Sequence, residues 1–109
     1  MGVRSAALIL AILPSALGAQ TRDLRAFYRE RCAVCHGTDG SGRGAGGTRL
    51  GGGSLLDVRR ASRQEETAQV AAILKGRGAM PGFGRQLTEP EAQRLVDEVL
   101  RPRTVRKIP

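Results

Sequence analysis

The chain has 109 residues, a formal charge of +8 from 18 Lys+Arg against 10 Asp+Glu, 15 glycines, two Phe, one Tyr and no Trp. That length holds at most one small domain, and an apolar fraction of 40% with strong local periodicity excludes a wholly disordered chain. Three aromatic rings are a thin supply for such a core, so something besides side chains is expected to fill it, held by the two cysteines and the single histidine.

Residues 1–18 read as a cleaved export signal. Arg4 gives a positive start, Ala6 to Leu13 is an apolar run, and Pro14 and Ser15 end it. Cleavage after Gly18, within a residue or two, puts Ala16 and Gly18 at the small-residue positions. The apolar run falls far short of the roughly 20 residues that span a bilayer, so no transmembrane segment is expected after cleavage. The mature chain would lose one arginine, carry +7, and work in the periplasm.

Between Thr21 and Val34, Leu24, Phe27, Tyr28 and Cys32 fall on one helical face, predicting a helix that runs straight into the cysteines. From Gly37 to Gly53 nine of 17 residues are glycine, so this stretch is loop. The chain is too short to place a domain on each side of it, so the loop is expected to wrap over something rather than link two domains. Ser62 with Glu65 reads as a capping box opening a second helix with Val70, Ile73 and Leu74 on its apolar stripe and a stop at Gly76. Thr88 with Glu91 is another capping box. Pro90 sits in the first turn of that third helix, Ala92, Leu95, Val96, Val99 and Leu100 share its apolar face, and Pro102 is expected to close it. Residues 19–101 form the predicted domain and 102–109 a basic tail, expected to fray or to touch anionic lipid or a partner. No alternating strand pattern or repeat occurs, so the fold class is all-α, with three main helices and long glycine-rich connections.

Cys32-Ala33-Val34-Cys35-His36 has the C-x-x-C-H form of covalent haem attachment, in which both thiols add to porphyrin vinyl groups and the imidazole ligates iron. Positions i, i+3 and i+4 of a helical turn project to one side, so all three side chains can meet one face of a flat macrocycle. A structural zinc site wants four ligands where the chain offers three. A thioredoxin-like pair is expected beside a strand. A disulfide across two residues closes a tiny loop and stabilises little. Cofactor binding is therefore placed on Cys32, Cys35 and His36. With Met1 removed, Met80 is the remaining methionine, and it stands in the glycine-rich segment Gly76 to Phe83, where backbone can approach a flat surface. Met80 is thus the predicted second iron ligand opposite His36, with Lys75 or water as the substitutes.

On the segments CAVCHGTDGSGRG and GRGAMPGF, the chain resembles the small class I c-type cytochromes of the bacterial periplasm over residues 21–101. The resemblance implies a cytochrome c fold around one haem c: an N-terminal helix ending in the haem motif crosses a C-terminal helix, and a third helix precedes the methionine loop. It also implies thioether links at Cys32 and Cys35, His36 and Met80 as axial ligands, and Tyr28 with Leu24 facing Leu95 and Val99. Three departures stand out. Leu24 replaces the small residue common at the helix crossing, no proline lies between His36 and Pro81 to mark the carbonyl that orients His36, and the last helix lacks an aromatic.

Iron with both axial places taken binds no substrate, so the expected function is one-electron transfer between redox proteins, not catalysis. The partners implied are a dehydrogenase, reductase or oxidase, met through acidic patches, with the chain acting as a monomer or as a subunit of a larger complex. Nucleic acid is not an expected partner. The alternative is a peroxidase-like enzyme or gas-binding haem protein with an open distal site, for which Arg77 or Arg85 would have to supply the polar group above the iron.

Overall fold

The computed structural model describes residues 2, 22–57, 59 and 62–105. The expected signal, apart from Gly2, lies outside the described residues, as do residues 106–109 of the tail.

The first helix, α1, covers residues 24–36. Asp23 opens it, its Oδ1 accepting the Ala26 N–H at 3.0 Å. It is not uniform: Leu24–Phe27 and Ala33–His36 are α-helical, while Tyr28–Cys32 forms a π turn in which the Ala33 N–H reaches back to the Tyr28 carbonyl. The extra residue in that turn brings Cys32 back toward the face of Leu24 and Tyr28, where it packs on the core. Helix α2, Arg63–Lys75, starts where Ser62 Oγ accepts the Glu65 N–H at 3.2 Å and ends at Gly76.

The last helix, α3, covers residues 89–105, again in three parts: Glu89–Leu95 α-helical, Val96–Leu100 a π turn, and Arg101–Val105 α-helical. Both arms of its capping box are present, Thr88 Oγ1 accepting from Glu91 N at 3.2 Å and Thr88 N donating to Glu91 Oε1 at 3.0 Å. The stop expected at Pro102 is absent. The π turn shifts the hydrogen-bond register just before the proline, where a missing N–H and a bulky ring are most easily accommodated. Among the described residues the only extended pairings are isolated bridges, Arg43 with Arg49 and Arg77 with Met80.

Helix α1 packs against α3, and α2 lies on α3 as well. Leu24, Tyr28, Leu95, Val96 and Val99 are all at most 3% exposed and form the centre of the core, which agrees with the expected crossing. Phe27 meets Phe83 edge-on at 5.6 Å, joining α1 to the loop beyond Met80. Glu66 on α2 bonds both Gln93 and Arg101 on α3.

The end of α3 is fastened, not frayed, as far as it is described. Arg103 stacks on the Tyr28 ring at 4.4 Å and donates to the carbonyls of Val99 (2.7 Å) and Thr38 (3.2 Å). Thr104, 2% exposed, donates its hydroxyl proton to the Leu55 carbonyl at 2.8 Å. The last helix therefore holds both the haem-motif end of α1 and the glycine-rich loop.

Candidate functional site

His36 closes α1, and the loop beyond it fixes its ring. Gly37 leaves the helix at φ +80°, and its carbonyl accepts the Tyr28 hydroxyl proton at 2.6 Å. The glycine-rich loop then returns beneath the motif: Gly42 N–H bonds the His36 carbonyl at 2.7 Å and Gly52 N–H bonds the Cys35 carbonyl at 2.8 Å. This approach requires glycine, because a Cβ on Gly52 would stand 2.4 Å from the Cys35 carbonyl oxygen. It delivers the Gly53 carbonyl to His36 Nδ1 at 2.8 Å. A carbonyl can only accept, so Nδ1 carries the proton and Nε2 keeps its lone pair for a metal. Gly53 thus supplies the orienting carbonyl in a chain without the usual proline.

Met80 is presented by a second tight turn. Gly76 ends α2 with φ +80°, and Arg77 and Met80 exchange two backbone hydrogen bonds of 3.0 Å. The chain then folds back on α2, with Phe83 N–H on the Ile73 carbonyl (2.7 Å) and Gly84 N–H on the Leu74 carbonyl (3.0 Å).

Between these turns lie two adjoining cavities, an inner one of about 170 Å³ and an outer one of about 520 Å³. Both are bordered by Cys32, His36 and Met80. Aliphatic Leu55, Ile73, Leu95 and Leu100 wall the inner space, while Val34, Cys35, Pro81 and Phe83 border the outer. All four residues predicted for the site therefore share one cleft, Cys35 at its exposed side and the other three half-buried. Burial pushes the Cys32 thiol up to about 11, against the opposing charge of Arg103, so at neutral pH its sulfur sits there uncharged. Lys75 and Arg85 do not border either cavity, whereas Arg77 borders both.

The donor set suits a flat, apolar, iron-bearing macrocycle: one imidazole nitrogen, one thioether and two thiols around an apolar cleft. Among the described residues no three His, Cys, Asp or Glu side chains converge on a bare-ion site. Gly53, Tyr28 and Arg103 act on the motif without having been singled out for it in the sequence. The first lies in a run of three glycines, and the other two carried no pattern beyond helix periodicity and charge.

A family model described as cytochrome c oxidase, cbb3-type, subunit III matches residues 19–97. No curated protein matches the chain. Among solved structures, a protein titled KustC0563 c-type cytochrome is 27% identical with a TM-score of 0.56, the match covering 73% of this chain and 95% of that one. Cytochrome c6 from the diatom Phaeodactylum tricornutum is 25% identical with a TM-score of 0.51, covering 75% and 92%. A c-type cytochrome NirC, at 24% identity and a TM-score of 0.51 over 71% and 88%, shares the fold.

Proposed function

The chain belongs to the family of cytochrome c oxidase, cbb3-type, subunit III, a class I mono-haem c-type cytochrome with covalently bound haem c, and from that premise we propose that it is a periplasmic one-electron carrier with His36 and Met80 as axial ligands. Cys32 and Cys35 carry the thioether links in this reading. Bound haem supplies one iron that passes between the ferrous and ferric states.

The protein's own groups do the rest. The Gly53 carbonyl holds the His36 proton on Nδ1, which leaves Nε2 as the nitrogen that would hold the metal. Met80 offers a soft thioether, which would favour the ferrous state, and the aliphatic residues that wall the inner cavity would exclude water from a bound haem. Cys35 and Val34, the latter 68% exposed, leave one edge of the cleft at the surface, where an electron can pass to a docked protein. The observation that carries the reading is that His36, its Nδ1 already engaged, shares both cavities with Met80. A net positive charge suits redox partners that present acidic patches, among them an oxidase of the kind that the family's description names.

The visible spectrum of the matured protein tests this. The ferric form is expected to show the weak long-wavelength absorption of thioether-bound iron, and Met80→Ala to abolish it and lower the midpoint potential. An unchanged spectrum in that variant removes Met80 from the iron. Carbon monoxide separates carrier from enzyme or gas sensor: the ferrous wild type should not bind it, and rapid binding would demand an open distal site. The intact mass of the protein from the periplasmic fraction should lack the first 18 residues, within one or two, and include one haem.

A further inference from the structure

Beside the proximal loop lies a separate cavity of about 400 Å³, lined by Arg43, Arg49, Ser41 and Ser54 together with glycine backbone. Arg43 and Arg49 are paired directly across an isolated antiparallel bridge, so their side chains leave the loop on the same side. Like charges so placed repel, and the lining contains no carboxylate to relieve them. Among the described residues neither guanidinium pairs with a carboxylate, and Arg43 spends one N–H on the Gly47 carbonyl at 3.0 Å. The backbone N–H groups of Gly51, Gly53 and Ser54 have no protein acceptor among the described residues. Two cations, the Ser54 hydroxyl and unpaired N–H donors around one space form the donor set of an oxyanion site, while the Ser41 hydroxyl is already engaged with the Arg43 carbonyl.

The same cavity touches the histidine through one peptide group. The Gly53 carbonyl accepts from His36 Nδ1. The peptide is trans, so the Ser54 N–H on the same amide plane points away from His36, and Ser54 borders the cavity. An anion accepting that N–H polarises the amide, makes the Gly53 oxygen a stronger acceptor and renders the imidazole more electron-rich. A more electron-rich imidazole favours ferric iron.

We propose that the cavity between Arg43 and Arg49 binds a small free oxyanion of the phosphate class, and that its occupation is relayed by the Gly53–Ser54 peptide to His36, lowering the reduction potential. The binding site stands on the loop alone, whereas the relay rests on the assignment of His36 as iron ligand. By reciprocity the ferric protein must bind the anion more tightly than the ferrous, by about two- to fivefold for a single polarised amide.

The test uses the haem-loaded protein and inorganic phosphate, with perchlorate at equal ionic strength as reference. Calorimetry should show saturable phosphate binding at about millimolar concentration, as befits an exposed site. The Arg43→Gln/Arg49→Gln double variant should lose it while keeping the wild-type visible spectrum. Arg25→Gln, a basic residue on the outside of α1, should keep it. Phosphate should lower the midpoint potential of the wild type but not of the double variant, and should move the His36 Nδ1 proton resonance downfield in the ferrous protein. Equal effects of phosphate and perchlorate overturn the site. Binding without movement of the Nδ1 resonance overturns the relay, and a potential shift that persists in the double variant assigns it to general screening and overturns the relay too. Binding to anionic vesicles that free phosphate does not compete away would identify a membrane surface and overturn the free-anion assignment. Failure of the His36 assignment shows separately, as an unaltered visible spectrum in His36→Ala with phosphate binding intact.

Discussion

A single missing side chain decides whether the histidine can be held. Gly52 lies so close under the end of α1 that an added methyl would meet the Cys35 carbonyl carbon at 2.6 Å as well as its oxygen, and His36 Nδ1 at 2.9 Å. Gly52→Ala must therefore push the loop away and break the Gly52 bond to Cys35, at a cost of about 3 kcal/mol, and the His36–Gly53 bond goes with it. Gly53→Ala, where a methyl meets nothing within 4 Å, is the control and should move the urea midpoint of the haem protein little. Tyr28 offers a second single-residue test, in pH. Burial pushes its phenol up to about 12, with the Arg103 charge partly opposing. A folded pKa above the ordinary value of about 10 adds stability below pH 10 that drains away as the pH rises toward 12, at about 1.4 kcal/mol per pH unit. The ionised oxygen also can no longer donate to the Gly37 carbonyl. Urea midpoints at pH 9 and pH 11.5 should fall apart steeply in the wild type and much less in Tyr28→Phe.

Among the elements, those with a periodic apolar face or a side-chain cap were legible in the sequence. Thr88 and Glu91 announce α3 chemically, and Leu95 through Leu100 announce its buried face. The cleft was legible for a similar reason, since Cys32, Cys35, His36 and Met80 carry types and spacings that few other roles demand. The two π turns were not, because a one-residue change of register leaves no mark in composition. Nor was the run of helix beyond Pro102. Proline reads as a stop, yet Arg103 and Thr104 find tertiary partners that outweigh its local cost. The carbonyl that orients His36 lies 17 residues away, beyond the reach of any local pattern. If the end of α3 is a clamp, Arg103→Met should lower the unfolding free energy by about 2 kcal/mol, through loss of the stacked cation and of its bond to Thr38. Thr104→Val, nearly isosteric, should cost about 1 kcal/mol by leaving the Leu55 carbonyl without its donor. Pro102→Ala, by contrast, should be neutral or stabilising. Denaturant curves of the three variants discriminate a docked helix end from a loose one.

At the scale of the molecule, the small number of aromatics and the shape of the core have a common consequence. Phe27, Tyr28 and Phe83 are all buried, yet the side chains still leave an aliphatic-walled inner space of about 170 Å³ beside the outer one. At about 24 cal/mol per Å³, leaving the inner space unfilled costs about 4 kcal/mol, a large part of the 5 to 15 kcal/mol by which a typical domain is stable. Helices α1 and α2 border that space together with α3, so its collapse removes contacts between elements rather than within them. The chain deprived of its macrocycle should accordingly keep helical segments and lose their fixed packing. The Cys32→Ser/Cys35→Ser double variant, produced without covalent attachment, is expected to retain much of its far-UV circular dichroism, to lose the near-UV signal of buried Tyr28, to bind a hydrophobic dye and to unfold in urea without a sharp transition. A cooperative transition matching that of the haem protein would mean that side chains alone close the core, and that the cleft is not built to be filled. Because the same variant leaves His36 and Met80 in place, added free haem should bind without a covalent link and restore part of the near-UV signal, which separates loss of the filling from damage done by the substitutions.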